Sequence, residues 1–188
     1  MTTWRIDQSG KWEESCPTVI GICNHHQYSV LIQNYTKSNV KKYLYTFEQE
    51  KNRSNTMKRV RMFAYSVFLA LRGYFREDDD VIIDKEYEGH DDKIRDLLIC
   101  LFKRFENLTV KASAIRFECV GRDSECHRIA KQTFIGAVKP EKELRLDNFF
   151  DLLDKTEKIH KRAFEKRRRK KYGQATGFKP AQMESPKR

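Results

Sequence analysis

No stretch of this 188-residue chain is long and apolar enough to cross a bilayer as a helix. The longest apolar run, Met62–Leu71, is about half the length a span needs and is bounded by Arg61 and Arg72. Met1–Trp12 is polar and broken by charge, so no secretory leader is expected. Cysteines are few. There are five, Cys16, Cys23, Cys100, Cys119 and Cys126, an odd number without a C-x-x-C pair. Cys100 and Cys119 fall inside apolar runs, where a free thiol behaves as a small hydrophobe. That usage fits a reducing interior, and a soluble, cytoplasmic protein is the expectation. His25-His26 lies near Cys16 and Cys23 but at no spacing of a zinc ligand pair, so it reads as a polar hairpin turn. Cys126 and His127 are sequence neighbours on a predicted helix and do not face each other as a nucleophile and its base would. No G-x-x-x-x-G-K-[ST] occurs, so an ordinary P-loop nucleotide site is not expected, and no internal repeat is apparent.

What the chain does hold is charge and a core. Hydrophobic residues make up 39% and charged ones 35%, enough apolar material for one folded domain with an unusually charged surface. The formal charge of +11 is unevenly placed. Glu157–Arg188 carries 12 Lys/Arg against 3 Asp/Glu, and a second basic band, Lys37–Arg61, carries 8 Lys/Arg against 2 Glu. Patches of this kind meet polyanions. Lys58, Arg59 and Arg61 in the band are therefore candidate nucleic-acid contacts, as are Lys161, Arg162, Lys166, Arg167, Arg168, Arg169, Lys170 and Lys171. Tyr172 and Phe178 could stack on exposed bases. The bland alternative for the tail is a solubilising charged end.

Hydrophobic periodicity predicts strands at Thr3–Asp7, Thr18–Cys23 and Tyr28–Gln33, the last two at hairpin distance. Lys42–Gln49 is ambiguous between strand and helix. Asn55 or Thr56 opens a helix to about Phe75, with Val60, Phe63, Val67, Leu71 and Tyr74 on one apolar face. Val81–Ile83 is a short strand running into Asp84, and Asp91–Phe105 is an amphipathic helix. Ile115–Val120 is a further strand, after which Asp123 or Ser124 caps a helix. Pro140 ends that segment, and a last helix starts near Leu146. Strands separated by crossover helices pair in parallel, so a mixed sheet with helices packed on it is expected: an α/β fold.

An opening Asp7-Gln8-Ser9-Gly10 strand, a hairpin, a helix and the strand end Ile82-Ile83-Asp84 resemble the ribonuclease H-like superfamily. The likeness is greatest to its small uncharacterised microbial branch, whose first strand ends in D-x-S-G. Val120–His127 lies where that fold turns from its last strand into a helix carrying a final ligand. The resemblance implies a ribonuclease H-like domain over 1–140, followed on composition by a basic helix at 141–172 and a flexible tail at 173–188. It further implies a site in which Asp7, Asp84 and Asp123 are catalytic. Asp7, Asp84, Asp123, Glu48 and His127 are then the candidate ligands of Mg²⁺ or Mn²⁺, with Glu125 and Glu50 as further possibilities. Glu86 and Glu88 read as plain surface charges.

One departure stands out: Thr56–Phe75 contains no acid where the family usually offers one. Two functions follow. The first is a metal-dependent phosphodiester hydrolase acting on nucleic acid, with RNA favoured over DNA or a hybrid. The alternative is a non-catalytic RNA- or ribonucleoprotein-binding module with a degenerate site. Plainer roles for the same acids are a solvated Asp7 in a loose N-terminus, Asp84 as an ordinary capping acid and Asp123 as an ordinary helix N-cap.

Overall fold

The computed structural model describes residues 1–48 and 54–153. Met1–Phe150 forms a compact unit. In a second unit, Asp151–Arg188, residues 151–153 are helical. The expected tail contacts Lys161, Arg162, Lys166, Arg167, Arg168, Arg169, Lys170 and Lys171 all lie outside the described residues, as does the expected tail at 173–188.

The compact unit is α/β, built on a six-stranded mixed sheet. Its strands are β1 (Thr3–Ser9), β2 (Thr18–Cys23), β3 (Gln27–Ile32), β4 (Asp80–Asp84), β5 (Ile115–Glu118) and β6 (Lys142–Glu143), in the spatial order β5-β4-β1-β2-β3-β6. β1–β2 and β2–β3 are antiparallel, whereas β4 runs parallel to β1 and to β5. Its helices include α1 (Asn34–Glu48), α2 (Asn55–Leu71), α3 (Asp91–Phe105) and α4 (Glu125–Phe134), and residues 146–150 are helical as expected from Leu146.

β2 is buried along its whole length, the pattern of a strand covered on both faces. On one face lies α4, across β1, β2 and β3. Gly21 is what allows it to lie so close. A Cβ at that position would fall 2.2 Å from the Cys126 carbonyl oxygen and 2.8 Å from the Ala130 Cβ. The Ser29 and Thr133 hydroxyls meet at 2.7 Å in the same layer. The opposite face carries α2, where the Tyr28 hydroxyl donates to the Ala70 carbonyl at 3.1 Å.

α3 packs on the far side of α2, through Phe68 against Phe102 and Phe75 against Phe102 at ring separations of 5.2 and 4.5 Å. Sheet and helix thus enclose α2 beyond its first turn, and every residue from Val60 to Leu71 is buried. The sequence pattern predicts a single apolar face instead. The polar positions on the other side are absorbed internally: Ser66 accepts from the Trp12 indole at 3.1 Å, and Arg61 donates to the Tyr65 hydroxyl at 3.1 Å.

Two buried polar groups set the geometry of β1. Asp79 accepts from the Thr2 amide (2.8 Å), the Trp4 indole (3.1 Å) and the Arg76 amide (3.0 Å), which ties the start of β1 to the approach of β4. Lys37 is wholly buried and donates from its ammonium to the carbonyls of Lys11 (2.7 Å), Glu14 (3.1 Å) and Cys16 (2.7 Å). Burial lowers its pKa to about 8. Three carbonyl acceptors satisfy all three ammonium protons, so Lys37 pins the β1–β2 loop and has no free donor to offer a polyanion. Asp79→Ala leaves three donors without their carboxylate. It is expected to lower the free energy of unfolding by about 2 kcal/mol in a denaturant titration.

Several boundaries differ from the sequence reading. α1 begins at Asn34, well before the ambiguous Lys42–Gln49 segment. α2 ends at Leu71 because Gly73, at φ +84°, turns the chain, and Tyr74 is left half-exposed. β6 has no counterpart in the sequence pattern, since two residues give no periodicity to read. It pairs with β3, so the boundary expected at 140 falls inside the compact unit, and residues 142–143 are strand where a basic helix was expected. Cys100 and Cys119 stand in apolar runs yet are exposed, one on the outer side of α3 and the other just past the edge strand β5.

Candidate functional site

The β1–β4 register decides what meets at the strand ends. Ile6 lies beside Ile83, and each strand continues one residue further into an acid, Asp7 and Asp84. Parallel neighbours point to the same face. Glu86 follows on a tight turn in which its amide donates to the Asp84 carbonyl at 2.9 Å. One carboxylate oxygen each from Asp7, Asp84 and Glu86 lie within 4.8 Å of one another.

Each of the three carboxyls is positioned by a neighbour. Asp7 is 4% exposed and contacts His127 on α4, with 3.0 Å between Oδ2 and Nδ1. Asp84 accepts from the Val120 amide at 2.7 Å through Oδ1. Lys11 places its ammonium 3.8 Å from the Glu86 carboxylate. Just before Lys11, Gly10 adopts φ +72°, and a Cβ there would come within 2.2 Å of the Pro17 carbonyl oxygen. The turn of the D-x-S-G motif therefore requires glycine.

Burial, and after it the crowding of like charges, shows in the acid strengths. Burial raises the Asp7 pKa from 3.8 to about 6; His127 opposes the rise and Asp84 adds to it. Burial likewise raises Glu86 from 4.5 to about 7, with Lys11 opposing and with Asp7 and Asp84 adding. The folded protein therefore binds protons more tightly than the unfolded chain at both groups. Their stabilising contribution is complete below about pH 4 and is lost as pH rises through 6 to 7. A thermal scan of the metal-free protein is expected to show this as a Tm that falls between pH 4.5 and 7.5, and Glu86→Gln should flatten that fall. Identical pH dependence in the two proteins would exclude this coupling.

The donor set suits a hard divalent cation. Mg²⁺ and Mn²⁺ prefer carboxylate oxygens and retain waters, and three convergent carboxylates leave positions open for both water and substrate. A cation here would displace the protons that burial and crowding retain.

Of the residues expected to form the site, Asp7 and Asp84 are brought together, and His127 joins them as the partner of Asp7. Asp123 does not join. It is exposed and lines a separate surface cleft with Arg5, Cys23, His25 and Glu125. Ser124 rather than Asp123 caps α4, accepting from the His127 amide at 3.2 Å, and this leaves Asp123 one position outside the helix, facing solvent. Glu48 is the last residue of α1, and its side chain lies outside the described residues, as does Glu50.

Lys58 and Arg59 line a cleft at the start of α2. Arg61 does not face solvent: it is 4% exposed, its guanidinium lying over the Tyr65 ring 5.7 Å from the centroid, because α2 is enclosed on all sides from residue 60. The residue missed in sequence is Glu86, whose one available signal was its place two positions beyond a strand-end acid. No family model matches the chain, and no curated protein matches its sequence. Among the described residues, no helix is long and apolar enough to cross a membrane.

Proposed function

We propose that this protein is a metal-dependent phosphodiester hydrolase acting on nucleic acid, with a ribonuclease H-like fold. The observation that carries the reading is the convergence of the Asp7, Asp84 and Glu86 carboxylates at two adjacent parallel strand ends. Glu86 takes the place that Asp123 holds in the sequence-based ligand set. The resemblance in element order is supported by a central β1 that ends in D-x-S-G, by the β2–β3 hairpin on one side and by β4 on the other.

Asp7, Asp84 and Glu86 would hold Mg²⁺ or Mn²⁺, which supplies stabilisation of the negative charge that grows on the scissile phosphate and its attacking and leaving oxygens. The chain's own residues do the rest. The Val120 amide, donating to Oδ1, fixes the rotation of the Asp84 carboxylate. His127 holds Asp7 in place through Nδ1, and Nε2 is the ring nitrogen left to accept or deliver a proton. Lys11 offsets part of the charge on Glu86.

The test is cleavage of labelled RNA, DNA and hybrid strands with Mg²⁺ or Mn²⁺, against the same reactions in EDTA. Cation-dependent products are expected, with RNA the favoured substrate. Absence of products from all three would overturn the hydrolase. The second reading, an RNA- or ribonucleoprotein-binding module without chemistry, is favoured by one observation: α2 contributes no carboxylate to the cluster. It requires strand binding that EDTA does not weaken.

A further inference from the structure

A second feature flanks the carboxylate cluster on the side of the β1–β2 loop. Lys11 faces Glu86, and the next two residues, Trp12 and Glu13, turn into a cleft of about 220 Å³. Lys41 of α1 and Asn55, Lys58, Arg59 and Met62 of α2 complete its walls. Phe63, next to Met62, packs on Tyr87 at a ring separation of 5.2 Å, which ties this wall to the Asp84–Tyr87 turn. The cleft and the carboxylates therefore share a loop and a helix wall.

Among the described residues that line it, the charge of the cleft is lopsided, with three cationic side chains and one carboxylate. Arg59 lies 3.5 Å from Glu13, and both are partly exposed. Lys41 is held below its ordinary pKa by burial, with Glu13 opposing and Arg59 adding to the effect. Glu13 thus relieves part of the repulsion between Lys41 and Arg59, and a doubly charged anion from outside would relieve it further. The volume is below the roughly 300–1,000 Å³ of sites that enclose a drug-sized ligand, so the cleft suits a compact anion rather than a whole nucleotide.

We propose that this cleft is a phosphoryl-binding subsite. Lys41, Lys58 and Arg59 grip a phosphate of the nucleic acid whose neighbouring phosphodiester lies at the carboxylates, and Glu13 holds Arg59 in its absence. This rests on the nucleic-acid reading above. The phosphate could be a strand's terminal phosphomonoester or an internal phosphodiester, and the two are separable.

The experiment measures affinity of the full-length protein, in EDTA, for one short oligonucleotide with and without a 5′-phosphate, with inorganic phosphate as competitor. The phosphorylated strand is expected to bind about tenfold more tightly, the worth of a charge-assisted contact. Lys41→Met and Arg59→Met should each remove most of that advantage. An equal loss for both strands in those variants would identify an internal phosphodiester as the group held. Glu13→Gln should tighten binding several-fold, an effect that misfolding cannot mimic. The proposal is overturned if Lys41→Met and Arg59→Met leave both affinities within about twofold, or if Glu13→Gln weakens them. Asp84→Asn should abolish cleavage yet keep the roughly tenfold preference for the 5′-phosphorylated strand, so failure of the cleft and failure of the hydrolase reading give different results.

Discussion

Asp84→Asn is expected to slow cation-dependent cleavage by about 10³-fold, the scale on which a preorganised electrostatic contact acts in a reacting site. Asparagine is nearly isosteric, and its carbonyl can still accept from the Val120 amide as Oδ1 does. What it removes is one of three convergent negative charges, and it turns an amide group toward the position a cation would take. The same change relieves like-charge crowding, because Asp84 is one of the groups that push up the pKa of both Asp7 and Glu86. The variant should therefore be at least as heat-stable as the parent when metal is absent, and should lose any stabilisation by Mn²⁺. Cleavage at the parental rate would remove Asp84 from the chemistry and with it the hydrolase reading.

Gly21→Val should destabilise the protein by about 3 kcal/mol, at the upper end of overpacking effects, and lower Tm by roughly 10 °C for a chain of this size. The cause lies in the backbone. A Cβ at Gly21 meets the Cys126 carbonyl oxygen at 2.2 Å, and a helix carbonyl cannot rotate away as a flexible side chain can. Relief requires α4 to lift off the sheet, which breaks the Ser29–Thr133 contact and withdraws His127 from Asp7. Loss of His127 should be visible as a change in the pH profile of any remaining activity. Thermal unfolding checks the first effect, and a Tm within about 2 °C of the parent would show that α4 repacks at little cost.

Much of this fold was legible in the sequence because its strongest signals are local. Thr18–Cys23 is β-branched and uninterrupted, and the observed strand has those bounds. Asp91–Phe105 has a clear apolar stripe with acids in its first turn and bases in its last, and the helix runs over that range. α1 was less legible: Asn34–Lys41 is polar apart from Tyr35 and Val40, and the contacts that bury Lys37 come from a loop more than twenty positions earlier.

The candidate site divides along the same line. The types of the acids at two strand ends, the glycine turn after the first and the uneven charge of the chain are properties of the sequence by itself. Tertiary structure alone decided which acids converge. Asp123 and Glu86 are equivalent as carboxylates, and it was the family resemblance, not local pattern, that favoured Asp123. The Ser124 cap turns Asp123 out to solvent, while the turn after β4 brings Glu86 back onto Asp84. In the same way Lys37 and Arg61 count as surface charge in sequence, yet both are buried, one closed over three loop carbonyls and the other in an enclosed helix. Charge and periodicity are additive along a chain. Convergence and enclosure depend on the register between distant strands and on what covers the second face of a helix, and no single segment carries either.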